Sequence, residues 1–185
     1  MNDELALRLY PNRDLTTCCE PVGEDEFGTF ELELLCGRLV TMMRTFEGLG
    51  LAANQVGVHK RIFAFENQAT DGIDRPDVDI PTIFINPQII DIDETTEEYF
   101  KEGCLSFPGT FQKIRRKNYF KMTYRDQSGN HCELGPDVCC GLFGHAFQHE
   151  LDHLDGKTML DRADFMEKEK IMKKVNKLRK LRGPK

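Results

Sequence analysis

Gln148-His149-Glu150-Leu151-Asp152-His153 sets two imidazoles four residues apart. On a helix, positions i and i+4 share a face, so His149 and His153 can grip one metal ion between them. Glu150 stands beside the first imidazole, where a carboxylate can take a proton from water that the ion has acidified. The pattern implies metal-assisted hydrolysis of an amide or a similar carbonyl. A surface helix with two unrelated histidines would share the spacing. Against it, only 5 histidines occur in 185 residues, and three of them (His145, His149 and His153) fall at i, i+4 and i+8. The helix expected over residues 138–154 has apolar residues on several faces, so it should be buried with its polar ligands inside a core.

Two imidazoles do not complete such a site, which takes a third protein ligand and keeps one position open. Extending the motif to H-E-x-x-H-x-x-G-x-x-H finds Gly156 and then fails at Met159, whose thioether suits a hydrolytic metal poorly. Glu167 and Glu169 lie in a charged, repetitive stretch with the look of a solvent-facing surface. The best-placed candidate is Cys104, in Glu102-Gly103-Cys104-Leu105-Ser106, on irregular backbone near a strand end. The chain has 7 cysteines, an odd number without paired C-x-x-C spacing. That favours free thiols in a reducing compartment over a disulfide framework. Most should act as small buried hydrophobes. Cys36 fits an apolar helical pattern, and the adjacent pairs Cys18-Cys19 and Cys139-Cys140 offer no ligand geometry.

Three segments, in this order, are together similar to the peptide deformylase family. They are Gly48-Leu49-Gly50-Leu51-Ala52-Ala53-Asn54-Gln55, Glu102-Gly103-Cys104-Leu105-Ser106, and Gln148-His149-Glu150-Leu151-Asp152-His153-Leu154-Asp155-Gly156. The resemblance spans roughly residues 8 to 165. It implies one divalent metal ion on Cys104, His149 and His153, with Fe(II) the ion in cells. Two imidazoles and a thiolate also suit Zn, Ni or Co. It implies Glu150 as general base, and Gln55 with the Leu105 N–H as stabilisers of the oxyanion. Gly48, Leu49, Gly50, Gly103 and His145 are the expected substrate-facing residues, and N-formyl-methionyl peptides the expected substrates. The glycines also have a local reading: a helix ending near Gly48, followed by a tight turn. Two positions depart from the family pattern. Phe111 stands where bacterial members often carry an arginine that touches substrate backbone, with Arg115 and Arg116 a little later. His145 and Phe147 stand where aliphatic residues usually line the methionine pocket.

The length fits a single domain, 1–185, divided into a catalytic core (1–165) and a basic C-terminal helix (166–185). Mean hydropathy is −0.48 and no run of eighteen apolar residues occurs, so no membrane partner is expected. The acidic start Met1-Asn2-Asp3-Glu4 resembles no signal or transit peptide, which points to the cytoplasm, with an organellar form lacking its presequence left open. Charge is uneven. Residues 168–185 hold nine Lys or Arg and one acid, leaving a +8 tail on a −14 body. Ile171, Val175, Leu178 and Leu181 recur at helical spacing, so one stripe should pack while the other faces stay basic. Such a surface can follow phosphates, and the resemblance implies ribosomal RNA as its partner. The alternative is a solvated helix paired with the acidic body.

A helix is expected over residues 27–47, with Phe30, Leu34, Leu35, Leu39, Met42, Met43 and Phe46 on its apolar side. Strands are expected at 61–65, 82–87, 88–92, 95–100, 118–124 and 131–134, with a surface loop at 67–81 and a hairpin turn at 126–130. His59 and His131 read as surface residues. These elements imply an α+β fold: antiparallel or mixed sheets wrapped round a buried metal-binding helix, with an N-terminal helix and a C-terminal amphipathic helix.

Overall fold

The computed structural model describes residues 5–67, 80 and 82–182. Among the described residues, seven strands and four α-helices run in the order α1 (Phe30–Thr45), β1 (Gly50–Ala52), β2 (Ile62–Phe65), β3 (Ile83–Ile92), β4 (Glu97–Gly103), β5 (Phe111–Lys117), β6 (Phe120–Arg125), β7 (His131–Leu134), α2 (Gly141–Leu154), α3 (Met159–Arg162) and α4 (Phe165–Arg182). One sheet has the order β1-β2-β3-β6-β7, and β4 pairs with β5 in a second. All these pairings are antiparallel. The fold is the α+β arrangement that the pattern implied.

β2 explains the layering. Ile62, Phe63, Ala64 and Phe65 are all fully buried, because both faces of the five-stranded sheet are covered. Phe63 and Phe65 point toward α2 and join Phe84, Phe143 and Phe147 in one core. Ile62 and Ala64 point the other way, toward Leu32, Cys36, Leu39 and Met43 of α1. Phe147 is the hub of the aromatic cluster, with ring centroids 4.7 Å from Phe65 and 5.2 Å from Phe84. It packs into the sheet, so the expectation that it lines a substrate pocket fails. A third core of Phe107, Ile114, Met159, Ile171 and Val175 lies under the segment that carries Cys104.

Several boundaries differ from expectation. α1 starts at Phe30, where the Thr29 side chain accepts from the Leu32 N–H. Its buried stripe is Leu32, Cys36, Leu39 and Met43, while Phe30, Leu34 and Phe46 are exposed. The left-handed residue after it is Glu47 (φ 53°), not Gly48. The strands expected at 82–87 and 88–92 are one strand, β3, bulged at Asn86-Pro87. Pro87 has no N–H for the ladder. Asn86 takes φ 50° and its side chain exchanges two hydrogen bonds with Val22. β4 starts later and runs further than 95–100, and β6 starts at Phe120. β5 escaped the pattern altogether, since its inward residues are Gln112, Ile114 and Arg116 and only one is apolar. The turn Asp126–Asn130 forms as expected, with Gly129 at φ 84°. The metal-motif helix begins at Gly141, not 138, with Cys140 as its N-cap. Of the expected 67–81 loop, residues 68–79 and 81 lie outside the described residues, as do the first four residues of the chain. Ile171 and Val175 are buried and Leu178 is half-buried, whereas the Leu181 side chain lies outside the description.

Candidate active site

α2 is buried along most of its length, with His145, His149, Glu150, Asp152 and His153 among its buried residues. His149 and His153, one turn apart, lie with ring centroids 5.0 Å apart. Cys104 enters from the segment after β4, its Sγ 3.3 Å from His153 Nε2. One donor atom from each of Cys104, His149 and His153 falls within 4.8 Å of the others, the one such group among the described residues. Glu167 and Glu169 do not join it. They sit on α4, beside Lys170 and Lys173 respectively.

The electrostatics suit a cation. Burial opposes the Cys104 thiolate, but the His153 and His149 imidazoles outweigh it and bring the thiol down to about 5. Burial also opposes a charged His149, yet Cys104 and Glu102 raise it well above its ordinary value. Glu102 fixes the His149 ring: its Oε2 lies 2.9 Å from Nδ1, so Nε2 is the ring nitrogen left to serve as a ligand. The donor set of one thiolate and two imidazoles fits a divalent ion of the Fe(II), Zn, Ni or Co kind.

Glu102 is itself held. Arg116 bridges it through Nε at 2.5 Å and Nη2 at 2.9 Å, and reaches Asp152 on α2 through Nη1 at 2.8 Å. Arg162 of α3 also donates to Asp152. Burial alone would raise the Asp152 carboxyl, but Arg162 and Arg116 hold it below its usual range. The chain Arg162–Asp152–Arg116–Glu102–His149 therefore ties α3, α2, β5 and β4 to one ligand. Neither Glu102, Arg116 nor Asp152 stood out as a site residue in the sequence. The signal was present in two of the family-like motifs: Glu102 and Asp152 are acidic positions inside stretches that must be buried, and buried charge needs a partner. Arg116, weighed as a contact to substrate backbone, is locked beneath the site. Arg115 is exposed and pairs with Glu97 at 3.3 Å.

Glu150 is buried beside the ligands. Burial raises its carboxyl to about 7, with His149 and His153 pulling the other way. Its Oε2 has no hydrogen-bond partner among the described residues. Gly50 is required here, because a Cβ at that position would overlap the Glu150 carboxylate. Gly48 is less tightly enclosed: a Cβ there would lie 2.8 Å from Leu105 Cδ1, the end of a flexible side chain. Gln55 sits in the turn after β1. Its Oε1 accepts from the Ala52 N–H at 2.9 Å, which points Nε2 toward Ser106 Oγ at 3.0 Å and Cys104 Sγ at 3.6 Å.

A cavity of about 850 Å³ opens onto these groups, and all of Gly48, Leu49, Gly50, Gln55, Gly103, Cys104, Leu105, His145, His149 and Glu150 line it. His153 closes the group from behind. His145 is buried with its ring 4.1 Å from Phe100 and its Nδ1 3.5 Å from Glu102. It lines the cavity, as the resemblance implied. Phe111 lies at the rim, 58% exposed.

The family model for polypeptide deformylase matches residues 5–169. Peptide deformylase 2 of Xanthomonas campestris pv. campestris is 36% identical, with 92% of this chain and 94% of that protein covered. The peptide deformylase of Cellvibrio japonicus is 34% identical, at 92% and 93% coverage. Among solved structures, peptide deformylase from Ehrlichia chaffeensis superposes with a TM-score of 0.81 at 33% identity, covering 94% of this chain and 95% of that one. The same enzyme in complex with actinonin gives a TM-score of 0.81 at 94% and 96% coverage. With its fold, its buried Cys-His-His group and these matches, the chain belongs to the polypeptide deformylase family.

Proposed function

We propose that Glu150, Gln55 and the Leu105 N–H perform the reaction of this family in the 850 Å³ cavity: hydrolysis of the N-formyl group of formyl-methionine at the start of a nascent polypeptide, releasing formate. The observation that carries the assignment of roles is the meeting of a buried Cys104-His149-His153 group with an unpaired Glu150 oxygen at the floor of one cavity. A divalent ion held by those three residues, which we take to be Fe(II) in cells, supplies when bound a Lewis acid that acidifies water and polarises the formyl carbonyl. Glu150 accepts the proton of the attacking water and returns it to the departing amine nitrogen. Gln55 Nε2 and the Leu105 N–H donate to the developing oxyanion; one such donor is worth about a hundred- to a thousandfold.

The peptide has a natural berth. β1 is an edge of the five-stranded sheet and β4 an edge of the two-stranded one, and residues of both line the cavity. An extended chain between two free edges can pair its backbone with either. That supports Gly48, Leu49, Gly50 and Gly103 as substrate-facing. The methionine side chain then points to the end formed by Phe100, Leu142, His145 and Ala146.

Three broader assignments belong to the same reading. The chain is one catalytic unit through residue 165 with a basic helix after it. Nine cations against one acid in residues 168–185 support docking of that helix on ribosomal RNA. Among the described residues no helix is long and apolar enough to cross a membrane, and seven free cysteines together with a nascent-chain substrate support a cytoplasmic location. An anaerobic assay on formyl-Met-Ala-Ser, with formate release and bound metal read on one sample, tests the reading. Stoichiometric metal without formate release would overturn it.

A further inference from the structure

Deformylation gives two regions of the cavity a role. The floor carries the reacting groups, and one end takes the methionine side chain. The chain after methionine must leave through the mouth, whose lining includes Phe46, Glu47, Lys101, Pro108 and Phe111. Two large aromatic rings stand there in the open, Phe46 at 44% and Phe111 at 58% exposure. Single exposed apolar side chains are ordinary, but two rings converging on one cavity beside reacting groups mark a contact surface.

Phe111 is held in place. It pairs with Gly103 across the β4–β5 ladder, and its ring fills the space that a Cβ at 103 would need, with Cε1 2.7 Å from that position. The Lys101 ammonium stands 5.1 Å from the ring centroid and steadies it further. A ring fixed in this way offers the passing peptide no N–H and no charge. The nearby cations do not replace that lack, because Arg116 is bound to Glu102 and Asp152, Arg115 to Glu97, and the Lys101 ammonium lies over the ring itself. A donor at the mouth would read backbone carbonyls, which every peptide has. A ring gains only from the side chains that cover it. We propose that Phe46 and Phe111 form an aromatic subsite that makes this enzyme select formylated chains with a large apolar or aromatic residue at one of the two positions after methionine. The subsite rests on the deformylation reading, which supplies the direction in which the chain leaves.

The test uses the metal-loaded full chain and two peptide series, formyl-Met-X-Ser and formyl-Met-Ala-X, with X as Ala, Ser, Asp, Leu or Phe. The readout is the ratio of kcat/KM for Phe over Ser within one enzyme sample, which cancels differences in folded or metal-loaded fraction. In at least one series the ratio should reach about three- to tenfold, the span of a single aromatic contact. In Phe111→Ala it should fall close to one, and Phe46→Ala should lower it in the same series. Active enzyme with flat profiles in both series overturns the subsite and leaves the deformylase reading intact. So does a preference that survives Phe111→Ala. Inactivity of the parent on every formyl peptide overturns both.

Discussion

The ligand residues were legible one by one, because their chemistry is scarce. Three of five histidines fall on one helix, and Cys104 follows a glycine on irregular backbone at a strand end. The holders were not legible, because a charged residue in sequence reads as surface until its burial is known. Glu102 and Arg116 have side chains only 8% and 2% exposed. This geometry dictates what single-residue changes should do. Glu150→Gln should keep metal and lose turnover by about a hundred- to ten-thousandfold, the range for losing a general base. Formate release within tenfold of the parent would remove Glu150 from that role. Cys104→Ser should weaken metal binding and shift preference toward harder ions, while Cys139→Ser, changing a buried core thiol, should leave metal stoichiometry as it was. In metal-stripped protein the Cys104 thiol titrates near 5. It is therefore a thiolate above that pH and becomes protonated below it. Burial pushes Cys19 up to about 12 and Cys36 to about 11. Ultraviolet thiolate absorbance should show one titration near pH 5 that vanishes in Cys104→Ser; its absence in the parent would show that the imidazoles fail to hold the charge.

At the level of elements, strong period and punctuation decided what could be read. α2 and the 126–130 turn declared themselves, because their residues repeat or break in the way those backbones require. β5 did not, since a strand that buries Gln112 and Arg116 has no apolar alternation to see. β3 was split in two because Asn86-Pro87 reads as a break, and only the side-chain bonds of Asn86 to Val22 show that the ladder resumes beyond it. β5 matters beyond its length, because Arg116 joins two carboxylates that are both buried. Arg116→Leu would strip the buried Glu102 of its guanidinium partner and leave Asp152 with Arg162 alone. Removing one partner of a buried ionic group costs about 3–5 kcal/mol. Denaturant unfolding should register that loss, and metal should leave the variant faster than the parent, because the His149 ring is no longer held through Glu102. Unchanged stability and metal retention would mean that the network is decorative.

For the whole molecule, the question is how the +8 tail belongs to the −14 body. The two sequence alternatives, a packed helix and a phosphate-following one, divide along α4. Its first half is structural: Ile171 and Val175 are 0% and 5% exposed in the core with Phe107 and Ile114, below the Cys104 segment. Lys174 also donates to the Gly109 carbonyl at the cavity rim. Removing all of residues 168–185 would therefore open that core, and Ile171→Ala alone should cost about 2–5 kcal/mol. Turnover could not survive such a truncation unaltered, although every proposed catalytic residue lies upstream. The second half is different in character. From residue 177 onward Lys177, Arg179 and Lys180 are exposed, and no described residue of that stretch belongs to a core. A chain ending at Asn176 should therefore keep its melting temperature and its formate release on a tripeptide while losing much of its cationic surface. If α4 follows ribosomal RNA, the intact chain should co-sediment with ribosomes at low salt and fall away steeply as salt rises, through counterion release. The shortened chain should sediment less and show a shallower salt slope. Equal sedimentation of the two at low salt would assign the basic surface to solvation, with the acidic body as its only partner.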